Sequence, residues 1–205
     1  MTVDESRGRA SAWGADLPAS EEQARERIMR AAERCYAEMG PARTKMTHIA
    51  AAAGIHRTTM YSYFPHREAV FDACYIRASR MIAEASEQCW DSDLPVLEQL
   101  VEACVEGLSI AREMPSMRVL LGPEGLPLAH AASTSEGWRS ELSKVVGDRL
   151  AVGVATGEVR SDVAPNVLAD WVTRVCLGLI DSPVSAEDGG DRMILKLFLT
   201  RSLRP

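Results

Sequence analysis

The sequence offers little that would place this chain in a membrane or outside the cell. No segment approaches the roughly 18 consecutive apolar residues that a membrane-spanning helix needs. The first 20 residues contain no apolar stretch, so they do not resemble a secretory signal. We therefore expect a cytoplasmic protein without membrane association. The hydrophobic content of 46 % is still sufficient for a sizeable core.

Catalytic and metal-binding patterns are also missing. The four histidines form no recognisable set of metal ligands, and we find no phosphate-binding glycine loop, nucleophile elbow or paired catalytic carboxylate motif. We therefore expect no enzyme, no metal and no cofactor. The cysteines form no CxxC pair and lie in apolar helical contexts, which favours reduced core residues over a redox sensor. They are Cys35, Cys74, Cys89, Cys104 and Cys176.

Helical periodicity dominates the sequence, and no strand-like alternation of useful length occurs. Ser20, followed by Glu21 and Glu22, is typical of a helix start, because a serine caps and acidic residues favour the first turn. Gly40 and Pro41 predict the end of this helix. The chain is therefore predicted to be all-α.

Two short helices with a tight connector are predicted next. The first runs from about Lys45 to Ala52, and Thr44 is in position to cap it. The second extends to Tyr63, and Gly54 in the connector is free to adopt a positive φ. Together with the preceding helix, they predict a helix-turn-helix from roughly Thr44 to Phe64.

Longer helices are predicted in the rest of the chain. An amphipathic helix is expected from Arg67 towards Trp90, with Met81 on its apolar side, and another over Leu94–Met114. The stretch GPEGLP is expected to be a loop, before a helix over Ser133–Val154. The last two helices, 167–180 and 193–199, are apolar on more than one face. This favours pairing with a second subunit, with a deep position in the fold as the alternative. The expected dimer residues are Leu168, Trp171, Val172, Val175, Leu179, Ile194, Leu197 and Phe198.

The net charge of −6 is unfavourable for a DNA-binding protein, but it is unevenly distributed. Residues 21–70 carry eight basic and six acidic side chains, whereas residues 71–205 carry 13 and 20. We interpret residues 21–66 as a DNA-binding domain and residues 67–205 as a helical effector-binding and dimerisation domain. Residues 1–20 are interpreted as a flexible arm, whose Arg7 and Arg9 suit a DNA minor groove, although a tail without function is favoured.

The second short helix, HRTTMYSYF, carries the residue types that suit a DNA groove. Threonine and tyrosine hydroxyls suit phosphates and base edges, and the threonine methyl group suits the methyl group of thymine. A helix that is merely solvated would more often carry glutamate and lysine. This composition strengthens a helix-turn-helix pattern that is weak by itself.

The stretch RIMRAAERCYAEMGPARTKMTHIAAAAGIHRTTMYSYFPHREAVF, within about residues 25–71, resembles the N-terminal domain of the TetR family of transcription regulators. The matching positions are Thr44, Ile49, Ala50, Ala53, Gly54, Thr59, Tyr61, Tyr63, Phe64 and Glu68. The chain departs from the family pattern at Lys45, His48, His56, Thr58, His66 and Arg67. Since these departures change the groove-facing chemistry, the operator sequence cannot be carried over.

The resemblance implies a homodimer that binds an inverted repeat in double-stranded DNA. It places Thr44, Lys45 and Arg67 on backbone phosphates, and Thr59 and Tyr61 on phosphate or sugar. Tyr63 contacts phosphate or packs internally. His56, Arg57 and Thr58 are expected to reach bases, and Arg57 suits a bidentate contact to guanine.

The resemblance also implies an effector pocket in the larger domain. Its candidate lining residues, each of which core packing would also explain, are Trp90, Met114, Met117, Trp138 and Trp171. The first hypothesis is a repressor released from DNA by a small apolar or amphipathic molecule. The alternative is an architectural or division-linked DNA-binding protein of the same fold that answers to a protein partner. Ligand-dependent release of DNA would separate the two.

Overall fold

The computed structural model describes Trp13 and residues 17–205, and these residues form helices and connecting turns without any strand. The predicted all-α fold is confirmed. Arg7 and Arg9, the basis of the minor-groove hypothesis, lie outside the described residues. Within the part that is described, no helix has the length and apolar character needed to span a membrane.

Four helices form the N-terminal part: α1 (Glu21–Met39), α2 (Met46–Ala53), α3 (Arg57–Tyr63) and α4 (Arg67–Ala85). The larger part contains α5 (Val96–Glu113), α6 (Pro115–Leu120), α7 (Leu126–Ala132), α8 (Glu136–Leu142), α9 (Asp148–Thr156), α10 (Pro165–Asp181), α11 (Gly190–Ile194) and α12 (Thr200–Leu203). Short helical turns follow α4 (Glu87–Trp90, 3-10) and join α8 to α9 (Ser143–Gly147, π) and α11 to α12 (Leu195–Leu199, π).

Several local predictions were wrong. The helix α7 begins inside the predicted loop GPEGLP, because Pro127 lies in its first turn, where a missing N–H costs no hydrogen bond. Met81 is 45 % exposed, and Ile82 packs against the core in its place. The helix predicted from Leu94 begins only at Val96, after Pro95.

The first helix begins and ends where local chemistry requires it. The Ser20 hydroxyl accepts a hydrogen bond from the Gln23 N–H at 3.1 Å, and Glu21 and Glu22 lie in the first turn. Gly40 ends the helix with φ 82° and ψ 152°, a conformation that is essentially restricted to glycine.

Replacement of Gly40 by alanine should therefore destabilise the fold by about 1–3 kcal/mol, because an alanine Cβ makes this backbone conformation unfavourable. The added Cβ would also displace the Glu124 carboxylate that lies against Gly40. Gly157→Ala is the matched control, since Gly157 also has a positive φ (80°) but has open space around it. Urea unfolding should show the larger loss for Gly40→Ala, and equal losses would contradict this account.

The helix α4 belongs to both parts of the molecule. It packs against α1 on one side and against α5, α7 and α8 on the other. Near its start, Val70, Phe71 and Cys74 are buried in the core shared with α1. Any movement of α4 within the larger part is therefore expected to reach the N-terminal helices.

Arg77 reinforces this joint between α4 and α1. Its guanidinium forms ion pairs with Glu33 and, at 2.9 Å, with Glu26, and both carboxylates lie on α1. The arginine side chain is only 24 % exposed. Two charge-assisted hydrogen-bond partners at this burial fix the rotation of one helix against the other.

Part of the predicted dimer surface on α10 is buried within the subunit. Leu168, Val172 and Leu179 are each less than 10 % exposed within one chain, because they face α5, α8 and α9 from α10. These three residues are therefore core residues of the subunit. The remaining candidates, Trp171, Val175, Ile194, Leu197 and Phe198, keep exposed or half-exposed side chains.

Candidate nucleic-acid interface

The helices α2 and α3 are joined by a turn that fixes their relative direction. Gly54 ends α2 in the left-handed conformation, with φ 69° and ψ 36°, and the Ile55 N–H donates to the Ala50 carbonyl at 3.0 Å. Ile55 is buried beneath the turn, and Met60 and Phe64 anchor α3 with fully buried side chains. The predicted helix-turn-helix is present, with α2 and α3 each within one residue of expectation.

The outward face of α3 is polar and accessible. Arg57, Thr58, Tyr61 and Ser62 are exposed, and they lie on one side of the helix at i, i+1, i+4 and i+5. The Arg57 guanidinium lies 5.4 Å from the centre of the Tyr61 ring, so a cation–π contact holds it on this face. His56 precedes the helix and is also exposed, whereas Thr59 is half-buried.

Three arginines of α1 donate hydrogen bonds to the C-terminal ends of α2 and α3. Arg27 and Arg34 donate to the carbonyls of Ala53 and Ala52 at the end of α2. Arg25 donates to the carbonyl of Tyr63, the last residue of α3, at 2.8 Å. A helix end has unpaired carbonyl groups and a partial negative charge, so these arginines stabilise both short helices.

Trp13, which the sequence placed in the arm, supports α3 as well. It is 2 % exposed, its ring meets that of Tyr63 edge-on at 5.5 Å, and Arg27 lies over it at 5.4 Å. Of the two roles predicted for Tyr63, the structure therefore shows the internal packing. A single tryptophan in a polar segment was the signal for this contact.

Of the two residues predicted to contact phosphate at the start of α2, Lys45 is accessible and Thr44 is buried. Thr44 is 1 % exposed and donates its hydroxyl hydrogen to the Gly40 carbonyl at 2.8 Å, so its side chain is not available to DNA. Lys45 is the residue that precedes α2, and its side chain is exposed. The predicted cap at Thr44 was wrong because this hydroxyl turns back to the end of α1.

Lys45→Ala should weaken binding to all DNA sequences alike and reduce the slope of log K against log salt by about one per lost phosphate contact. Thr44→Val should instead lower the free energy of unfolding by about 1 kcal/mol and leave the affinity of the folded protein unchanged. Fluorescence anisotropy at several salt concentrations measures the affinities of both variants, and urea unfolding measures the change in stability. A reduced salt slope in Thr44→Val would contradict the buried role of its hydroxyl.

Two of the unusual histidines have structural partners. The Lys45 backbone N–H donates to Nδ1 of His48 at 3.3 Å, and the Ala69 N–H donates to Nδ1 of His66 at 3.1 Å. His66 thereby caps α4. Among the histidines near the motif, His56 alone has no side-chain hydrogen bond in the part of the chain that the structure describes.

Arg67 is exposed but already engaged. It donates to Glu68 at 2.7 Å and to the Ala42 carbonyl at 3.0 Å. The hydrogen bond from Arg67 lowers the pKa of the Glu68 carboxyl, although Glu68 is largely exposed. A phosphate at this place would have to compete with the Glu68 carboxylate.

The known proteins that resemble this chain agree with the geometry. Residues 28–74 match the family described as bacterial regulatory proteins, tetR family. An uncharacterised HTH-type transcriptional regulator of Mycobacterium tuberculosis, Rv1255c, is 26 % identical over 185 residues, which are 90 % of this chain and 87 % of that protein. The chain therefore carries an N-terminal domain of the TetR family, over residues 28–74. The HTH-type transcriptional repressor Rv1474c of the same species is 27 % identical, over 80 % of this regulator and 84 % of its own length.

Solved structures extend the likeness to the larger part of the regulator. RolR in complex with resorcinol superposes with a TM-score of 0.64 and 20 % identity, covering 89 % of this chain and 88 % of that one. The repressor QsdR of R. erythropolis has a TM-score of 0.63 and 16 % identity, with coverages of 92 % and 98 %. At these identities the likeness concerns the fold, and it confirms a larger C-terminal helical domain of TetR type.

The larger part of the regulator contains a partly open cavity of about 180 Å³ between α4, α5, α8 and α10. Its wall includes three of the predicted pocket residues, Trp90, Met117 and Trp138. Met114 lies at the junction of α5 and α6 and does not line the cavity. Trp171 does not line it either, because it lies on the outer side of α10, between Val167 and Val175.

The cysteines of the regulator are free thiols in protected surroundings. Burial raises the pKa of the Cys35, Cys74 and Cys89 thiols, so little thiolate is present near neutral pH. In the cavity wall, the neighbouring Cys176 and burial both raise the pKa of the Cys104 thiol. These pKa shifts favour the core interpretation over a redox sensor. Among the described residues, no group of three or more His, Cys, Asp or Glu could hold a metal ion.

Proposed function

We propose that this TetR-family regulator is a homodimeric repressor that binds an inverted-repeat operator and leaves it when a small molecule occupies the cavity. The observation that carries the DNA-binding step is the exposed polar face of α3, held outward by Met60 and Phe64 and braced by Arg25. Such a helix fits a major groove, where side chains can distinguish all four base pairs. The repressor name of a 27 % identical relative supports the direction of control.

In the proposed function, the N-terminal and C-terminal parts of the chain bind different partners. Residues 21–66 bind DNA, with Arg57, Thr58 and His56 on bases and with Lys45, Thr59 and Tyr61 on the backbone. Residues 67–205 bind the effector and the second subunit. The regulator acts in the cytoplasm, where bacterial DNA is accessible.

The dimer is proposed to form through the outer sides of α10 and the C-terminal helical segment. Val167 and Phe198 are 51 % and 60 % exposed, and Trp171, Val175 and Leu197 add exposed or half-exposed apolar side chains on the same two segments. Gly178 has open space where a Cβ would stand, which allows another helix to approach closely. Exposed large apolar side chains grouped in this way are typical of an interface between subunits.

The helix α4 provides the connection between effector and DNA. Its residues Ile76, Ser79 and Arg80 line the cavity, and Arg77 between them is paired with Glu26 and Glu33 of α1. A ligand that favours another position of α4 would change the separation of the two α3 helices. Two half-sites require a separation of about 34 Å, so a changed spacing lowers the affinity for DNA.

The resorcinol complex of RolR indicates that a protein of this fold can hold a small molecule. The proposed function is tested by selection of bound DNA from a random pool, followed by a search for compounds that release the selected DNA. We expect enrichment of an inverted repeat and release by a small molecule. Failure to enrich any sequence would exclude a specific regulator, and release only by a protein would favour the architectural or division-linked alternative.

A further inference from the structure

The size of the cavity limits what it can hold. Its volume is about 180 Å³, and apolar cavities of about 150 Å³ in proteins accommodate one benzene molecule. One six-membered ring with a short substituent therefore fits this volume. A larger polycyclic molecule would protrude through the open side of the cavity or require the helices to separate.

The charges in the wall favour an uncharged ligand. Of the described residues that line the cavity, Arg80 and Glu141 are the charged ones, and they are paired with each other at 3.0 Å. An ionised ligand would lose its hydration and would find no unpaired countercharge. The raised pKa of Tyr75, caused by burial, also keeps this phenol neutral.

Aromatic side chains form part of the wall. The rings of Tyr75 and Trp138 lie 5.2 Å apart with a tilt of 48°, and Trp90 also lines the cavity. Their faces and edges suit contacts with another ring, since aromatic pairs favour tilted or offset arrangements. A flat aromatic ligand is therefore better matched to this wall than a saturated one.

Among the described residues of this wall, one buried side-chain donor has no partner. Trp138 is 8 % exposed, and its Nε1 is buried without a hydrogen-bond acceptor among the described residues. Buried polar groups in proteins are nearly always paired, and an unpaired one is unfavourable. The indole N–H can only donate, so the group that would satisfy it is an acceptor.

We propose that the cavity binds an uncharged monocyclic aromatic molecule, and that a turn of the Trp138 indole lets its buried Nε1 donate a hydrogen bond to the substituent oxygen of this ligand. The proposal rests on the proposed function only in treating this cavity as the effector site. The proposed ligand is defined by three properties: a single aromatic ring, the absence of charge, and a substituent oxygen that accepts a hydrogen bond. Each of these three properties can be varied in the ligand independently of DNA binding.

The test compares two ligands of nearly equal shape, acetophenone and α-methylstyrene, which differ by a carbonyl oxygen in place of a methylene group. Their dissociation constants are measured by calorimetry on the free protein, with wild type and with Trp138→Phe. Loss of the donor should weaken acetophenone roughly fivefold to tenfold more than α-methylstyrene. Any change in cavity size affects both ligands and cancels in this comparison.

Trp90→Phe is the matched control, because it alters another tryptophan of the same wall and should affect both ligands equally. In the wild type, one of the four indole N–H resonances should move downfield with acetophenone and stay in place with α-methylstyrene. This measurement does not depend on the folding of a variant. Benzoate, which is ionised, should bind at least about tenfold more weakly than acetophenone.

Three results would overturn the proposal: no saturable binding of acetophenone at millimolar concentration, equal weakening of both ligands in Trp138→Phe, or tighter binding of benzoate. If acetophenone binds through Trp138 but does not release DNA, the ligand assignment stands and the effector role fails. If another compound releases DNA without dependence on Trp138, the effector role stands and the ligand assignment fails.

Discussion

Arg57→Ala should abolish sequence-specific DNA binding while the protein remains folded. Arg57 is exposed at the start of α3 and is held on the outward face by Tyr61. A bidentate contact from arginine to guanine contributes about 1–3 kcal/mol of discrimination, and a dimer would lose it twice. Affinity for the selected operator should fall by roughly 30-fold to 10⁴-fold, measured by anisotropy with a labelled duplex.

Arg30→Ala is the control for the lost positive charge. Arg30 is 67 % exposed and pairs with Glu26 on α1, away from the α3 face. Its removal should change the affinity for operator and for random DNA by less than about threefold, because exposed ion pairs contribute little. If Arg57→Ala weakened operator and random DNA equally, Arg57 would contact phosphate and the assignment to a base would be wrong.

Phe198→Glu should convert the dimer into a monomer. Phe198 is 60 % exposed in the single subunit, the largest value among its exposed large apolar side chains. In a two-fold interface each residue occurs twice, and loss of a central aromatic contact costs about 2–4 kcal/mol per copy. The dimer dissociation constant should therefore rise by roughly 10³-fold or more, measured by sedimentation equilibrium.

Val152→Glu provides a matched comparison, because Val152 is 54 % exposed on α9 and is not part of the proposed surface. This variant should remain dimeric. The Phe198→Glu monomer should also lose affinity for an inverted repeat and keep most of its affinity for a single half-site. Dimerisation that survives Phe198→Glu and fails in Val152→Glu would place the interface on the α9 side.

The sequence was most informative where one residue decides the local structure. Ser20, Gly40 and Gly54 determine the ends of helices through a hydroxyl or a positive φ, and these predictions were confirmed. The helix-turn-helix followed from them. The exposed face of α3 was also predictable, because Met60 and Phe64 were the apolar residues that had to face inward.

Predictions failed where partners are distant in sequence. Leu168, Val172 and Leu179 are buried by helices whose arrangement the periodicity of α10 does not reveal. Thr44 is a local exception, because its hydroxyl turns back four residues to the Gly40 carbonyl. The bracing arginines of α1 were counted only as positive charge, although their donors are used on helix ends. The Arg77 pairs and the unpaired Trp138 donor depend on tertiary packing and could not be derived from local patterns.

The dual membership of α4 has a consequence for engineering hybrid regulators. A chimera that joins these DNA-binding helices to a foreign sensor after residue 66 would discard Phe71 and Cys74, which close the core beneath α1. Its DNA-binding helices would lack part of the hydrophobic core that α4 supplies. A splice after Ala78 would retain these core residues together with Arg77 and its two glutamate partners. A new sensor would then have to match only the second half of one helix.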